Sequence, residues 1–480
     1  MTTPADLIPI PPSVAALGER FAAAGHQLHL VGGSVRDALL GRPGEDIDLT
    51  TDAHPDEALK LITPPASATW TMGIEFGTVG AEIDGIRVEV TTYRADRYDR
   101  VSRNPAVAFG TSLEEDLGRR DFTMNAMALS VPDREFSDPF GGLADLARGT
   151  LQTPGAPEES FADDPLRMLR AARFVAQLNG AENVAGLHLE PEVHAAIVAM
   201  APQLERITAE RVQAELTKLL LADCPRRGLE LLTETGMAAV IFPELPALRM
   251  AADEHGQHKD VYAHTLQVLD QAIDLEAEGG GEVPDLTLRW AALLHDVGKP
   301  DTRRFEPGGR VSFHHHEVVG ARMARARLKA LKYPKQLIED VGRLVYLHLR
   351  FYGYGEGEWT DSAVRRYVTD AGDLLTRLNK LVRSDVTTRN RRKAQTLAFA
   401  YRNLESRIAQ LREQEELDAI RPDLDGTEIM TILALPPGPA IGKAYRFLLE
   451  LRMERGPLGR DAAAAELTAW ARREGLSEGH

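Results

Sequence analysis

The 480-residue chain has a single cysteine, Cys224. It can close no internal disulfide, and a reducing cytoplasm is the compartment that fits. No stretch approaches the ~18 uninterrupted apolar residues of a membrane span, so no membrane partner is expected. The opening residues, MTTPADLIPIPPS, lack the basic region and apolar core of a signal peptide. Positive charge is in deficit: 56 Lys and Arg stand against 72 Asp and Glu, a net charge of −16. A nucleic-acid binder usually shows a basic face, so this balance does not announce one, although a local basic patch can exist within an acidic whole. Fixed-period repeats and long low-complexity tracts are also missing. What remains, 43% apolar and 27% charged residues, is the balance of an ordinary globular protein. It excludes a disordered, collagen-like or disulfide-stapled chain, and the length suggests about three domains of ~150 residues.

Up to about residue 150 the pattern is mixed. Residues 13–25 read as a helix ending at Gly25, 28–31 as a strand, 34–40 as a helix, and 46–50 as an alternating strand. Residues 78–83 and 86–93 form a hairpin about the turn pair Asp84-Gly85, and 124–131 reads as one more strand. From about 160 onward, apolar residues recur at three- and four-residue spacing, so the chain is expected to be helical nearly throughout. Thr153 to Pro157 and Gly279 to Gly281 are linker candidates. The charge-rich stretch 405–417 reads as a solvated helix. The expected class is α+β.

The most informative stretch is VGGSVRDALLGRPGEDIDLTTDA, residues 31–53. Asp46 and Asp48 lie two apart on a strand, so both side chains leave one face. Two carboxylates on one face can share a hard divalent cation such as magnesium. Upstream, Gly32-Gly33 follows a strand and opens a helix, a turn whose backbone N–H groups suit a triphosphate. Arg36, one turn into that helix, can pair with phosphate oxygens. Glu89, on the IRVEVTTY strand, can stand beside the pair as a third carboxylate.

These residues resemble the nucleotidyltransferase head of the bacterial CCA-adding tRNA nucleotidyltransferases and poly(A) polymerases. The resemblance continues in order through LEEDLGRRDFTMNAMA (113–128), DPFGGLADL (138–146), FADDPLRMLRAARF (161–174) and ERVQAELTKLL (210–220). It implies a small sheet-bearing head followed by helical neck and body domains. It also implies two-metal transfer of nucleotides to an RNA 3′-hydroxyl, with Asp46 and Asp48 holding magnesium and tRNA, CTP and ATP as partners. Gly33, Arg36 and Arg120 match nucleotide contacts, and Asp121 and Asn125 are expected to organise the sugar end. Asp164 and Arg167, three apart on a predicted helix, share one face. A carboxylate accepts from an exocyclic amine, and a guanidinium donates to ring acceptors. Cytosine and adenine offer that combination, so this pair can select C and A without a template. Arg170 and Arg173 match further nucleotide-binding arginines. The family's motif begins Glu-Asp; here it is Asp163-Asp164.

A second constellation lies at 264–385. Adjacent His295-Asp296 in LLHDVGKP is unusual in an apolar setting, because both groups need partners when buried. A shared divalent transition metal satisfies them. The order His, His-Asp, Asp resembles the HD phosphohydrolases: His264, His295, Asp296 and Asp385 align with the usual ligands, and His316 and His348 with additional histidines. The resemblance implies phosphate-ester hydrolysis and leaves the substrate open. His314 and His315 read as solvated loop residues. Two basic stretches, 322–335 and 377–393, are candidate RNA contacts. The expected organisation is a head at 1–153, a helical neck and body at 154–255, an HD domain at 256–400 and a helical tail at 401–480. Residues 94–112 match the loop of CCA-adding members at full length. The head motifs also fit a poly(A) polymerase, a CC- or A-adding enzyme, or a metal phosphohydrolase with a nucleotide-sensing head. The oligomeric state stays open.

Overall fold

The computed structural model describes residues 3–44, 46–95, 108–178, 186–250, 260–278, 283–307, 311–353, 359–387, 391–415 and 420–476. Two compact units make up the chain, residues 1–243 and 244–480. The class is α+β, a sheet-bearing N-terminal region followed by helices, as the residue pattern suggests.

Among the described residues the first unit holds eleven strands: β1 Leu28–Val31, β2 Asp46–Thr51, β3 Ala68–Trp70, β4 Thr78–Ile83, β5 Ile86–Thr92, β6 Arg94–Ala95, β7 Ala108–Phe109, β8 Ala128–Ser130, β9 Phe136–Ser137, β10 Thr150–Leu151 and β11 His188–Leu189. Seven of them form one sheet in the order β3-β4-β5-β2-β1-β8-β9. Within it β2 and β5 run parallel and the other neighbours antiparallel. β1, LHLV, is buried throughout, as a central strand must be. β2 alternates, with Asp46 and Asp48 outward and Ile47 and Leu49 inward. The predicted strand over 124–131 is shorter than its apolar content suggests. Residues Thr123–Asn125 form a turn of 3₁₀ helix and only Ala128–Ser130 pair in the sheet, because Asn125 is drawn into a polar network described below.

After the sheet, helices Pro157–Asp163 and Leu166–Leu178 replace the single helix expected across the Asp164 region. The break has a local cause. A residue before proline is driven out of helical backbone, and Asp164, before Pro165, takes φ −141° and ψ 98°. Helix Leu166–Leu178 buries Met168, Leu169, Ala172 and Phe174 and packs against helices Ala209–Leu220 and Pro225–Glu234. Removing a ring such as Phe174, 1% exposed, typically costs about 3–5 kcal/mol.

The second unit is helical. Helices Val261–Asp274, Leu286–Leu294, His316–Ala330, Lys335–Leu347 and Leu375–Ser384 enclose a core around Trp290. A buried Arg289–Glu276 pair, bonded at 2.7 and 2.8 Å, lies in the same unit. Helix Arg391–Gln414 is not the solvated helix expected over 405–417. Leu404, Ile408 and Leu411 are buried, and Glu415 just beyond it pairs with buried Arg365 at 2.7 Å. The limit drawn at residue 401 falls inside this continuous helix, and the limit at 255 falls outside the described residues, as do Gly279 to Gly281. The last three helices, Gly426–Leu433, Pro439–Arg455 and Arg460–Arg473, close an apolar cluster of their own around Ile429, Leu448 and Leu467.

Candidate nucleotide cavity and metal-ligand cluster

Gly32 ends β1 with φ +66° and ψ −131°, backbone that glycine alone adopts readily. Close approach adds a second demand, since a Cβ here would lie 2.9 Å from Arg120 Nη1. The helix Gly33–Leu39 follows. Ser34, in its first turn, accepts from the Asp48 N–H at 2.8 Å and donates to the Asp46 carbonyl at 3.4 Å. One hydroxyl thus locks the glycine turn to the strand that carries both carboxylates. Glu89 on β5 lies directly opposite Asp48 in the parallel register, which places the three acids on one face. Asp48 is crowded by protein, and that burial pushes its carboxyl pKa up. Arg120 opposes the shift, and Glu89 and Asp46 reinforce it. Three like charges so close call for a cation.

A cavity of about 510 Å³ opens beside Asp48. Gly32, Gly33, Arg36, Arg120, Asp121, Asn125, Asp164, Arg167, Arg170 and Arg173 all line it, as the sequence motifs place them together. Asp46 and Glu89 stand next to Asp48 outside the lining. Arg36 donates to Asn125 Oδ1 at 2.6 Å, Asn125 Nδ2 to Asp121 Oδ1 at 2.9 Å, and Arg170 pairs with Asp121 Oδ2 at 2.9 Å. Burial works against ionising Asp121, but Arg170 and the Asn125 and Phe122 N–H groups overcome it and hold its pKa below the usual range. Asp121 and Asn125 therefore order two arginines in this structure. The expectation that they meet the sugar adds a second task to that one. Arg36, Arg170 and Arg173 are also gathered around the Phe174 ring, at 4.9, 5.8 and 4.2 Å.

Asp164 and Arg167 come to the same cavity from either side of the break at Pro165. Asp164 Oδ2 pairs with Arg211 at 2.7 Å. Arg167 donates to Ser160 Oγ at 2.8 Å and to the Arg119 carbonyl at 2.6 Å. Sequence reasoning missed Arg94, Asp116 and Arg119, which line the cavity too. Asp116 accepts from Thr50 and Arg94 N at 3.2 Å each. The repeated charges of LEEDLGRRD were the available signal. With seven arginines and four aspartates around it, the cavity suits a large polyanion that also presents hydrogen-bonding edges.

In the second unit, helix Leu286–Leu294 delivers His295 and Asp296 at its C-terminal end. Asp296 Oδ2 faces His295 Nε2 at 3.2 Å and His264 Nε2 at 3.5 Å. Its Oδ1 faces His316 Nε2 at 3.3 Å and His348 Nε2 at 4.0 Å. Asp385 lies 3.0 Å from His264 Nε2. Each imidazole is oriented through its other nitrogen: His295 Nδ1 on the Ala292 carbonyl at 2.8 Å, His316 Nδ1 on Phe313 at 2.8 Å, His348 Nδ1 on Val345 at 2.6 Å, and His264 Nδ1 on Thr387 Oγ1 at 2.9 Å. Histidine ligands are held in this way at metal sites. Among the described residues the buried Nε2 atoms of His316 and His348 make no well-aligned hydrogen bond, and Asp296 Oδ1 is the acceptor that faces both. Burial pushes His348 down to about 4, which keeps it neutral and able to ligate. Two sets of potential ligands result: His264, His295 and Asp385, and Asp296, His316 and His348. The donor chemistry fits divalent transition-metal ions. His314 and His315 lie exposed beside it.

Part of the positive charge of the basic stretches is committed within the second unit. Arg325 pairs with Glu339, Arg327 with Glu244, Arg377 with Asp285 and Arg383 with Glu278, while buried Lys380 donates to the Glu276 carbonyl at 2.6 Å. Free positive charge there is smaller than the composition suggests.

The family described as Poly A polymerase head domain matches residues 28–152. The probable RNA and SrmB-binding site of polymerase A matches 186–248, and the HD domain matches 261–383. The chain is 35% identical over 435 residues to the A-adding tRNA nucleotidyltransferase of Deinococcus radiodurans, covering 88% of this chain and 91% of that one. It is 34% identical over 338 residues to the CCA-adding enzyme of Geobacillus stearothermophilus, 70% of each chain. The crystal structure of the Bacillus stearothermophilus CCA-adding enzyme in complex with CTP superposes with a TM-score of 0.68 at 26% identity, over 97% of this chain and 99% of that one. No described helix is long and apolar enough to cross a membrane.

Proposed function

The chain belongs to the family of tRNA nucleotidyltransferases that holds the CCA-adding and A-adding enzymes, and from that membership we propose that its head completes tRNA 3′ ends by adding C, C and A from CTP and ATP without a template. The observation that carries this reading is the convergence, in one arginine-lined cavity, of Asp48 and the base-reading residues Asp164 and Arg167.

In the reaction, the 3′-oxygen of the RNA forms a bond to the α-phosphorus and its proton is released. The α–β phosphoanhydride breaks, and pyrophosphate leaves. Asp46 and Asp48, with Glu89 beside them, would hold magnesium, which when bound would lower the pKa of the attacking hydroxyl and stabilise charge on the triphosphate. Gly32 and Gly33 let backbone approach the phosphates. Arg36 and Arg120 neutralise phosphate oxygens, and Arg170 and Arg173 extend that cationic wall. Asp164 accepts from the exocyclic amine common to cytosine and adenine, and Arg167 donates to the ring acceptor beside it. Asp121 and Asn125 keep Arg36 and Arg170 aimed inward and organise the sugar end. A substrate of this kind assigns the protein to the cytoplasm.

The second unit is assigned as a divalent transition-metal site for phosphate-ester hydrolysis. 2′,3′-Cyclic nucleotides and RNA 3′ ends are the substrates to test there, and the gathered ligand sets of His264, His295 and Asp385 and of Asp296, His316 and His348 support the metal.

The test is to incubate the protein with tRNA lacking its CCA end and each NTP singly and together, then sequence the products. CTP alone is expected to add two residues, and ATP is expected to complete the end. A second reading, addition of A alone, is favoured by the identity to the Deinococcus enzyme across 91% of its length. It predicts no product from CTP and extension only of tRNA already ending in CC. No extension of any tRNA overturns both.

A further inference from the structure

The sheet face that bears the carboxylates continues past them to the edge of the head. The registers place Asp48 opposite Glu89, Glu89 opposite Gly80, and Gly80 opposite Trp70. Directly opposed residues project from the same face, so these four form a row across β2, β5, β4 and β3. Gly80 leaves a gap in that row, and the Trp70 indole fills it. A Cβ on Gly80 would lie 1.9 Å from Trp70 Nε1 and 2.1 Å from Cε2. The ring therefore lies across β4 towards β5. Gly80 is buried beneath it, while Glu82, two residues on along the same face, is exposed. With strands about 4.8 Å apart, the indole ends roughly one strand spacing from the strand of Glu89. Arg87, opposite Asp46 in the register, carries its guanidinium 5.6 Å from the ring centroid. It is exposed and makes no ion pair among the described residues.

The chemistry of transfer fixes what must come to this place. In-line displacement puts the attacking oxygen on the far side of the phosphorus from the departing pyrophosphate. The triphosphate cavity carries Val31, Gly32, Gly33 and Arg36 in its wall on the β1 side of the carboxylates, reaches β5 only at Thr91, near the end of that strand, and includes no residue of β4 or β3. The attacking 3′-hydroxyl must then arrive from the β5–β4 side, over the indole. We propose that Trp70, laid across Gly80, is the stacking platform for the terminal base of the RNA strand being extended, and that Arg87 pairs with the phosphate preceding that base. This inference rests on the nucleotidyl-transfer reading given above. An aromatic face suits the task because base stacking tolerates any base, and the terminal base of this acceptor changes as each nucleotide is added.

The experiment compares full-length W70L, W70F and R87A with the unaltered protein, using tRNA lacking CCA. Leucine and phenylalanine both keep an apolar cover over Gly80, but only phenylalanine offers a stacking face. W70L is expected to raise KM for tRNA about ten- to a hundredfold, with KM for CTP within about twofold. W70F is expected to stay within about threefold of the unaltered protein. R87A is expected to raise KM for tRNA and to flatten its dependence on salt by about one phosphate contact. Circular dichroism and melting curves check that each variant is folded. Should W70L unfold, the W70F and R87A measurements decide the matter, and R87A with unchanged tRNA KM and salt slope overturns the proposal. Equal tRNA KM for folded W70L and the unaltered protein overturns it as well, and so does an equal rise in KM for CTP. Failure of the unaltered protein to extend any tRNA would instead sink the transfer reading itself, so the two failures are told apart.

Discussion

The head cavity and the histidine cluster of the second unit solve opposite electrostatic problems with the same few residue types. In the cavity, arginines outnumber aspartates seven to four around about 510 Å³ of open space, and the carboxylates that need a cation stand on an accessible sheet face. In the second unit, four histidines and two aspartates are drawn within a few ångströms of one another, His295 0% and Asp296 2% exposed, and each imidazole is fixed through its outer nitrogen. The first arrangement suits a large anion beside a carboxylate face that fits a hard divalent cation. The second gathers a donor set that fits transition-metal ions. Charge sign therefore says less about function than the distance over which the charge is spread.

Four changes test that contrast. On the proposed reading, Asp48→Ala removes a carboxylate that would hold magnesium in the transition state and leaves the substrate grip in place. Several kcal/mol of metal-dependent stabilisation translate into a loss of about a thousandfold or more in addition rate. Binding of tRNA, read by filter retention, is expected to stay within about twofold. Turnover near the unaltered rate would remove the metal assignment. Asp296→Ala acts on the other site. Bound metal, measured by mass spectrometry of the purified protein, and hydrolysis of a 2′,3′-cyclic nucleotide are both expected to fall by about a hundredfold or more, since even residues that only orient metal ligands are worth about 10–100-fold. Nucleotide addition should continue unchanged. Loss of addition in a folded variant would mean the two sites are not separate. Arg167→Ala is expected to weaken discrimination of CTP and ATP against UTP and GTP by about one to two decades, the worth of a bidentate base contact. Competition assays with mixed triphosphates measure it, and unchanged selectivity would place base choice elsewhere. The smallest effect is expected from deleting residues 98–108, of which 98–107 lie outside the described residues and Ala108 opens β7: CC addition should persist while the terminal A is impaired a few-fold. Equal loss of C and A addition would deny that segment a role in the switch between bases.

Much of both sites was legible because their residues recur at periods that backbone geometry dictates. Asp46 and Asp48 obey the two-residue period of a strand, and the His-Asp pair announces itself by being polar in an apolar run. Other parts were hidden for definite reasons. Ser34 looks like any helix-starting serine, and its bridge between Asp46 and Asp48 depends on a helix and a strand meeting in space. Cross-strand neighbours such as Trp70 and Gly80 need a register that no local pattern encodes. The buried face of helix Arg391–Gln414 was there to be read, with Leu404, Ile408 and Leu411 at helical spacing, but charge density concealed it. The break at Asp164 was likewise written in Pro165, and helical periodicity on both sides carried the eye across it. The pairing of Arg327, Arg377 and Arg383 could not be foreseen, because the acids that neutralise them come from distant segments.

Gly32 has a consequence for how this protein can vary. Its backbone lies where side chains are strained, and the space a Cβ would take is held by the Arg120 guanidinium. The two obstacles are independent, so no second substitution relieves both at once: trimming Arg120 opens the space but leaves the strain. Among neighbouring sequences, glycine is expected to be strongly favoured at position 32, with the strain of its backbone setting the cost of any other residue. A library randomised there and selected for growth on tRNA repair would return mostly glycine codons, whereas exposed Gly41, with nothing within 4 Å of its absent Cβ, faces only the strain of its turn and leaves room for asparagine.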